Sequence, residues 1–130
     1  MSETSEQKAL VAWFRRQWPE YAHCLRVSLS GLNFGGNRRG AIMTNHVRSL
    51  GIHPGEADIC ISLKRDGFGS LIIELKKTAG SHGYSVDQLA YLDRHRRVGN
   101  KAVGCDGMEH AKDTISAYMA GDIDTKDSMQ

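Results

Sequence analysis

Two short apolar runs within residues 58–76, joined by a glycine-containing turn, constrain the fold of this chain more than any other stretch. The first run opens on Asp58, and the second closes on Glu74, Leu75 and Lys76. Every second residue of each run is aliphatic, which is typical of β-strands that bury one face. We therefore predict a β-hairpin that carries two carboxylates and a lysine at its open end.

Two carboxylates and one lysine on a single sheet are the groups that metal-assisted phosphodiester hydrolysis needs. A divalent ion such as Mg²⁺ binds carboxylate oxygens. An ammonium group can stabilise charge on the phosphate or help to position the attacking water. This chemistry requires Asp58, Glu74 and Lys76 to share one face of the sheet.

The alternation of side chains predicts the register of the hairpin. A strand presents successive side chains to opposite faces, so a slip of one residue would exchange the two faces. For the aliphatic residues of both runs to share a face, we predict that Ile61 lies opposite Ile73. This register sets Lys76 opposite Asp58 and brings the acids and the lysine to the other face.

The same register sets Glu74 opposite Cys60 and requires a loop of odd length, most simply Asp66-Gly67-Phe68, with Gly67 in a bulge-like position at positive φ. A two-residue Asp66-Gly67 turn is the common alternative for this dipeptide. That turn would place Asp58 and Glu74 on opposite faces and would remove the predicted metal site.

The composition is that of one globular domain. Of the 130 residues, 40% are hydrophobic and 25% are charged, which is ordinary for a soluble protein. We predict a single domain at residues 1–120 and a polar, frayed tail at 121–130. The net charge is only +2, so a nucleic-acid-binding surface would have to come from local clusters of Lys and Arg.

The cysteines and the hydropathy indicate the compartment. Cys24, Cys60 and Cys105 are far apart and form no Cys-x-x-Cys pair, so we expect free thiols in apolar strand-like runs, without a zinc site or disulfide framework. The sequence shows no signal peptide and no apolar run of membrane length. We expect an intracellular protein with no membrane partner.

Periodicity predicts four helices and two strands besides the hairpin, in the order α-β-α-β-β-α-β-α. This order indicates an α/β or α+β fold around a small mixed sheet. The predicted elements are a helix that Pro19 ends, a strand at 21–29, a loop at 30–40, a helix at about 39–50 stopped by Gly51, a helix at about 86–97 stopped by Gly99, a strand at 100–105 and a helix to about 119.

Helix starts and apolar stripes give further expectations. Capping pairs are predicted for Thr4 with Gln7, Ser85 with Gln88, and Asp106 with Glu109. The apolar stripes predict inward faces. These are Leu10, Trp13, Phe14 and Gln17 in the first helix, Met43, Val47 and Leu50 in the second, Val86, Leu89, Ala90 and Leu92 in the third, and Met108, Ala111, Ile115 and Tyr118 or Met119 in the fourth.

Six short motifs in this order resemble the VRR-NUC (virus-type replication-repair nuclease) domain of the PD-(D/E)xK nucleases over residues 5–119. They are Glu6-Gln7 with Ala9-Leu10, the loop Asn33…Gly35-Gly36…Arg38, Leu50-Gly51, Gly55-x-x-Asp58, Glu74-x-Lys76 and Ser85-x-x-Gln88. Each motif alone is weak, whereas the ordered set is specific. Ala57 replaces the usual proline of the family, a position that shapes the strand and binds no metal.

The resemblance implies a restriction-endonuclease-like core and a role for each matching residue. Asp58 and Glu74 would bind the metal together with the Leu75 carbonyl, and Glu6 would add a carboxylate directly or through water. Lys76 would be the catalytic lysine. Gln88 would help to place water or phosphate. Arg38, Arg39 and Lys77 are the basic residues that we expect to bind DNA.

The activity implied by the resemblance is that of a Mg²⁺-dependent DNA endonuclease, with Mn²⁺ able to substitute. The chain resembles stand-alone phage and bacterial forms, which usually dimerise, so a homodimer acting on branched, Holliday-junction-like DNA is expected. Tyr91, Trp13 or Trp18 would contribute to that interface unless they are buried in the core.

Several alternatives stay open from the sequence. Glu6 would also complement the helix dipole without any active site, and Glu3 competes for its role. Gln88 would serve equally well in a capping box with Ser85. For the whole chain, the alternatives are a non-catalytic DNA-binding or regulatory module with this fold and a restriction-type endonuclease of the same superfamily.

Overall fold

The apolar periodicities fold into a four-stranded sheet with helices on both faces. The structure is a computed structural model that describes residues 3–28, 37–51, 56–76 and 83–123. Its elements are α1 (Glu3–Gln17), a 3-10 helix (Pro19–Cys24), β1 (Leu25–Val27), α2 (Arg38–Ser49), β2 (Ile59–Ile61), β3 (Leu71–Lys76), α3 (Val86–Arg97), β4 (Lys101–Asp106) and α4 (Gly107–Met119). The predicted order of helices and strands is confirmed.

The strands lie in the order β1-β2-β3-β4. β1 pairs with β2 and β2 with β3 in antiparallel fashion, whereas β4 runs parallel to β3. The parallel pair requires a crossover, which α3 supplies. β3 is therefore the central strand to which the hairpin, the crossover helix and β4 are all attached.

Alternation along the strands divides the core into two layers. The layer under α1 and α4 contains the odd-numbered strand residues and is the larger one, whereas α3 covers a smaller layer over β3 and β4. The larger layer contains Leu10, Phe14, Leu25, Ile59, Ile61, Leu71, Ile73, Leu75, Cys105, Ala111, Ile115, Tyr118 and Met119. The smaller layer contains Ala57, Ile72, Leu92 and Ala102.

The faces of the hairpin agree with the sequence prediction, but its register differs by two residues. Ile59 lies opposite Ile73, and Ile61 lies opposite Leu71. The predicted pairing of Ile61 with Ile73 is therefore wrong. A slip of two residues keeps every side chain on its face, because the side-chain period of a strand is two.

The predicted partners of the polar residues are wrong for the same reason. Cys60 lies opposite Ile72 and not opposite Glu74. Continued by one residue, the observed register sets Asp58 opposite Glu74, whereas the prediction set it opposite Lys76. Asp58 and Glu74 thus lie closer along the sheet than the sequence indicated.

The predicted three-residue loop is also wrong. Asp66 and Gly67 form a two-residue turn with φ of 51° and 84°, flanked by reciprocal backbone hydrogen bonds between Arg65 and Phe68. Positive φ at both positions is the signature of the type I′ turn that suits hairpins.

An extra residue next to the turn brings Asp58 and Glu74 back to the same face of the sheet. Three residues, 62–64, lie between the pairs Arg65–Phe68 and Ile61–Leu71 on the first strand, against two, 69–70, on the second. Such a bulge leaves backbone groups without ladder partners. The Tyr118 hydroxyl donates to the Leu63 carbonyl at 2.6 Å, and the Arg65 guanidinium donates to the Lys64 carbonyl at 2.8 Å.

The N-terminal third departs from the prediction in its details. Pro19 follows the end of α1 as expected but opens the 3-10 helix, so the strand predicted at 21–29 is reduced to Leu25–Val27. Cys24 belongs to that 3-10 helix and not to a strand. Leu10 and Phe14 are fully buried, Trp13 is half-buried and Gln17 is exposed. Thr4 lies inside α1, which argues against the predicted cap.

The predicted buried faces of α2 and α3 are mostly wrong. Met43 and Leu50 are exposed on and after α2, and the side chain of Val47 lies outside the described part. On α3 only Leu92 of the predicted stripe is buried, whereas Val86, Leu89 and Ala90 are exposed. α3 packs mainly on β3 and β4. These strands cover a narrower face of the helix than the predicted apolar stripe would need for its burial.

The helix boundaries are predicted more accurately than these faces. Gly51 and Gly99 follow α2 and α3 with φ of 102° and 96°, as expected for glycine stops. Ser85 and Gln88 form the predicted capping box of α3. At α4 the Asp106 side chain makes no capping bond, and the His110 ring accepts from the Asp106 N–H instead.

The beginning of the predicted frayed tail is attached to the hairpin turn. The Asp66 N–H donates to the Asp122 carbonyl, and the Asp122 N–H donates to Asp66 Oδ1, both at 2.8 Å. Residues 124–130 lie outside the described part. Cys24, Cys60 and Cys105 carry free thiols, and of the three only Cys105 is fully buried. No helix among the described residues is long and apolar enough to cross a membrane.

Candidate active site

A linked group of polar side chains lies where β3 ends, on the face of the sheet that α3 covers. Glu74 and Lys76 are two residues apart on β3 and therefore point to the same side. Gln88, in the first turn of α3, donates from Nε2 to Glu74 Oε2 at 3.0 Å and accepts from Lys76 Nζ at 3.1 Å through Oε1. The Lys76 ammonium lies 4.0 Å from Glu74 Oε2.

Gln88 serves both as a capping residue and as a site residue, the two roles that the sequence left open. Its Oε1 accepts from the Ser85 N–H at 2.9 Å, and its own N–H donates to Ser85 Oγ at 3.1 Å. The oxygen therefore accepts two donors while the amide nitrogen faces a carboxylate, which fixes the orientation of the amide. The capping box holds Gln88 in the position from which it bridges Glu74 and Lys76.

Asp58 approaches the same strand end from β2. Its Oδ2 accepts from the Leu75 N–H at 2.8 Å, and its carbonyl accepts from the Ser28 N–H at 2.9 Å. The carboxylate thus takes the place of a backbone carbonyl where the β2–β3 ladder ends. In an extended strand the N–H and C=O of one residue point to the same edge, so the Leu75 carbonyl faces the side on which Asp58 lies.

Glu74 is only 4% exposed, so groups of the protein and not water must compensate its carboxylate. A buried carboxylate is costly unless donors or cations compensate it. Lys76 and Gln88 supply one cation and one amide donor. Both groups compensate the burial of the Glu74 carboxylate.

Glu6 is buried on the same stripe of α1 as Leu10 and Phe14, with 8% of its surface exposed. Its Oε2 is inaccessible and has no hydrogen-bond partner among the described residues. A first-turn glutamate that served only the helix dipole would be expected to remain solvated. The competing candidate, Glu3, lies in the same helix, but its side chain is outside the described part.

Within residues 3–28, 37–51, 56–76 and 83–123, no three His, Cys, Asp or Glu side chains are close enough together to hold a metal ion. Asp58 and Glu74 lie opposite one another when the β2–β3 register is continued by one residue, and the predicted contribution of Glu6 to the same centre stays a prediction.

Tyr84 is a site residue that the sequence reasoning missed. Its ring lies 5.1 Å from Lys76 Nζ, within the range of a cation–π contact. Burial, followed by the nearby acidic groups of Asp106, Cys105 and Glu74, raises the pKa of the Tyr84 phenol. Tyr84 therefore presents a neutral ring to the lysine near the Glu74 carboxylate.

Gly104 makes room for Tyr84. It lies opposite Glu74 in the β3–β4 register, and a Cβ built on it would overlap the Tyr84 hydroxyl oxygen. A glycine inside a strand often marks the close approach of another group. The glycine in the predicted strand at 100–105 was therefore the sequence signal that a side chain packs against this part of the sheet.

The predicted DNA-binding arginines lie at the start of α2 and not in a loop. Arg38 and Arg39 are exposed in its first turn, and Asn37 Oδ1 caps the Gly40 N–H at 2.8 Å. Lys77 and the Asn33…Gly36 part of the motif lie outside the described residues.

Comparison with known proteins identifies the fold. No family model matches the chain, and no curated protein matches its sequence. A solved structure named "VRR_NUC domain protein" matches with a TM-score of 0.75 at 21% sequence identity, over 94% of this chain and 92% of that one. This likeness shows that the two chains share a fold, and it confirms the fold expected from the resemblance.

The contact between Gly104 and Tyr84 gives a stability prediction. Gly104→Ala should lower the free energy of unfolding by about 1–3 kcal/mol, because the new methyl group overpacks against the Tyr84 ring. In a Tyr84→Ala background the same substitution should cost much less. Urea denaturation of the two single variants and the double variant measures this coupling, and additive losses would contradict the contact.

Proposed function

We propose that this chain, which has the fold of a VRR-NUC domain protein, is a Mg²⁺-dependent DNA endonuclease. The observation that carries the proposal is the convergence of Asp58, Glu74 and Lys76 on one strand end, with Gln88 bonded to both Glu74 and Lys76. A buried acid that Gln88 links to an ammonium, with a second acid bonded to the backbone N–H between them, is more than the sheet needs for its stability.

The donor set fits a hard divalent cation. Asp58 and Glu74 offer carboxylate oxygens, and the Leu75 carbonyl faces the same edge as Asp58, so the three would hold the ion. The inaccessible Oε2 of Glu6 supports an additional role for that acid, directly or through water. When bound, Mg²⁺ or Mn²⁺ would supply Lewis-acid stabilisation and a more acidic water.

Lys76 would orient the attacking water or stabilise charge on the phosphate. The Gln88 oxygen and the Tyr84 ring both hold its ammonium. A positioned charge in a water-poor site stabilises a transition state more than a mobile one, because no reorganisation is needed during the reaction.

The DNA would contact the basic segment that includes α2. Residues 21–55 contain Arg26, Arg38, Arg39 and Arg48 but no Asp, Glu or Lys, so their formal charge is +4. Cations are unfavourable at a helix N-terminus, where the dipole is positive. Arg38 and Arg39 at that end of α2 therefore fit a phosphate-binding role, since backbone phosphate would compensate both. We propose Lys77 as a third phosphate contact on the basis of the sequence.

A branched DNA substrate and a homodimer complete the proposal. Trp13 and Trp18 are partly buried against the core, so they expose less apolar surface to a second subunit than fully exposed residues do. The exposed apolar residues Val86 and Leu89 on α3 and Ile42 on α2 are better candidates. Sedimentation analysis tests this: a dimer is expected, and Leu89→Glu should shift it towards a monomer.

A non-catalytic DNA-binding module is the second candidate, and it makes a different prediction. Such a module would bind DNA in a salt-sensitive way without cleaving it in the presence of Mg²⁺ or Mn²⁺. The link of Glu74 and Lys76 through Gln88, with Asp58 on the neighbouring backbone N–H, favours the nuclease.

The catalytic roles predict distinct defects. Asp58→Asn and Glu74→Gln should reduce cleavage at least about 100-fold and also weaken Mn²⁺ binding, because each removes a ligand charge. Lys76→Met should reduce cleavage to a similar degree but retain Mn²⁺ binding. Cleavage of single-stranded, flap, splayed and four-way DNA, together with titration calorimetry of Mn²⁺, measures the two effects.

Glu109→Gln is the matched control for these variants, because Glu109 is an exposed acid on α4 whose ion pair is with Lys112. It should behave like the native protein in both assays. Native cleavage by purified Asp58→Asn protein would overturn the site assignment.

The DNA-binding role of α2 gives a salt-dependence prediction. Arg38→Ala and Arg39→Ala should weaken binding uniformly across DNA sequences, and each should reduce the slope of log affinity against log salt by about 1. Arg16→Ala, at an exposed position in the last turn of α1, is the control. Unchanged slopes in both α2 variants would exclude these arginines from the interface.

A further inference from the structure

A cleft of about 340 Å³ lies beside the candidate active site, on the same face of the sheet. It is open because α3 covers β3 and β4, whereas the even-numbered residues of β1 and β2 face outwards next to it. The principal polar and aromatic residues of its wall are Arg26, Ser28, Glu56, Ser62, Tyr91 and His95.

The cleft continues directly from the acids and Gln88. Two strands and one helix each contribute one residue to the site and two residues to the cleft. Within each series the residues share a face, because they are two positions apart along a strand or three to four positions apart along a helix. The three series are Asp58, Cys60 and Ser62 in and beside β2, Glu74, Ile72 and Ser70 in and beside β3, and Gln88, Tyr91 and His95 along α3. From Asp58 to Ser62 this path is about 13 Å long.

An aromatic ring forms one wall of the cleft. Tyr91 is half-buried against Ile72 and Leu92, and the His95 ring supports it at a centroid distance of 4.5 Å. His95 Nδ1 is in turn hydrogen-bonded to the Asn100 amide at 2.9 Å. Tyr91 is therefore held by the core and by a neighbouring ring while it lines an open cleft, as stacking platforms for nucleobases are.

The charges of the cleft favour a base over a phosphate. Glu56 places a carboxylate in the wall, hydrogen-bonded to the Ser28 hydroxyl, and a carboxylate repels phosphate. Carboxylates and hydroxyls instead pair with the amino and ring N–H groups of bases. Arg26, opposite Cys60 on the exposed edge strand, is the cation placed to meet a backbone phosphate.

We propose that this cleft binds one unpaired nucleotide next to the scissile phosphate, with its base stacked on Tyr91. The proposal rests on the nuclease function above and narrows its substrate. A base in a duplex is stacked between its neighbours and cannot stack on Tyr91, so the cleft requires unpaired DNA at that position. The substrate class is branched or terminal DNA with unpaired nucleotides at the cleavage site, such as flaps and splayed arms, and not fully paired duplex.

The test combines binding with a stacking signal. Flap DNA would carry 2-aminopurine at the unpaired position next to the branch, and binding would be measured by anisotropy against a fully paired duplex of the same sequence. Tyr91→Leu should weaken flap binding about 5- to 150-fold, change duplex binding less than about twofold and abolish the change in 2-aminopurine fluorescence. Tyr91→Phe should retain both signals.

Two further variants keep the test decisive. Val98→Ala, at an exposed position directly after α3 and outside the cleft, is the control and should leave flap binding unchanged. Ser62→Leu, at an exposed position of the wall, should block the cleft and weaken flap binding even if Tyr91→Leu fails to fold. Equal losses on flap and duplex, or native flap binding by both Tyr91→Leu and Ser62→Leu, would overturn the proposal.

The binding measurement separates this proposal from the nuclease function. Flap-selective binding that depends on Tyr91, without cleavage of any DNA by the native protein, would retain the cleft and refute the nuclease. Metal-dependent cleavage with no selectivity for unpaired DNA and no effect of Tyr91→Leu would retain the nuclease function and refute the nucleotide-binding cleft.

Discussion

The buried carboxylate of Glu74 is the constraint on which the rest of the site depends. It lies on the central strand with 4% of its surface exposed, so it requires compensation from side chains around it. Gln88 donates to it from α3, and Lys76 follows it on the same face of β3. Since Gln88 is also the second partner of the α3 capping box, the start of the crossover helix and the ionic site stabilise one another.

The hairpin supplies the second acid through two compensating irregularities. A two-residue turn at Asp66-Gly67 alone would place Asp58 and Glu74 on opposite faces, and a three-against-two bulge next to it reverses that outcome. The bulge is possible because the Tyr118 hydroxyl binds the freed Leu63 carbonyl. The packing of α4, remote in the sequence, therefore stabilises the bulge that keeps Asp58 on the face predicted from the alternation.

One face of the sheet carries the larger apolar core, and the other carries the polar groups of the candidate site. The odd-numbered strand residues form the larger core with α1 and α4, whereas the even-numbered ones form a short apolar layer, the acids, the lysine and the cleft wall. Because α3 covers only part of the second face, polar groups there remain accessible to a ligand. A wider helical cover would bury more apolar surface and close the route that we propose for DNA.

The sequence by itself determined the order of elements, the helix boundaries and the face on which Asp58, Glu74 and Lys76 lie, because these follow from local periodicity and capping chemistry. Only the tertiary structure decided the register, the bulge, the exposure of Val86 and Leu89, and the contact of Tyr84 with Lys76 over Gly104. Those features depend on which surfaces meet across the sheet. A pattern of period two or 3.6 indicates which residues share a face, but it does not specify how far one strand slides along another or how much of a helix its neighbour covers.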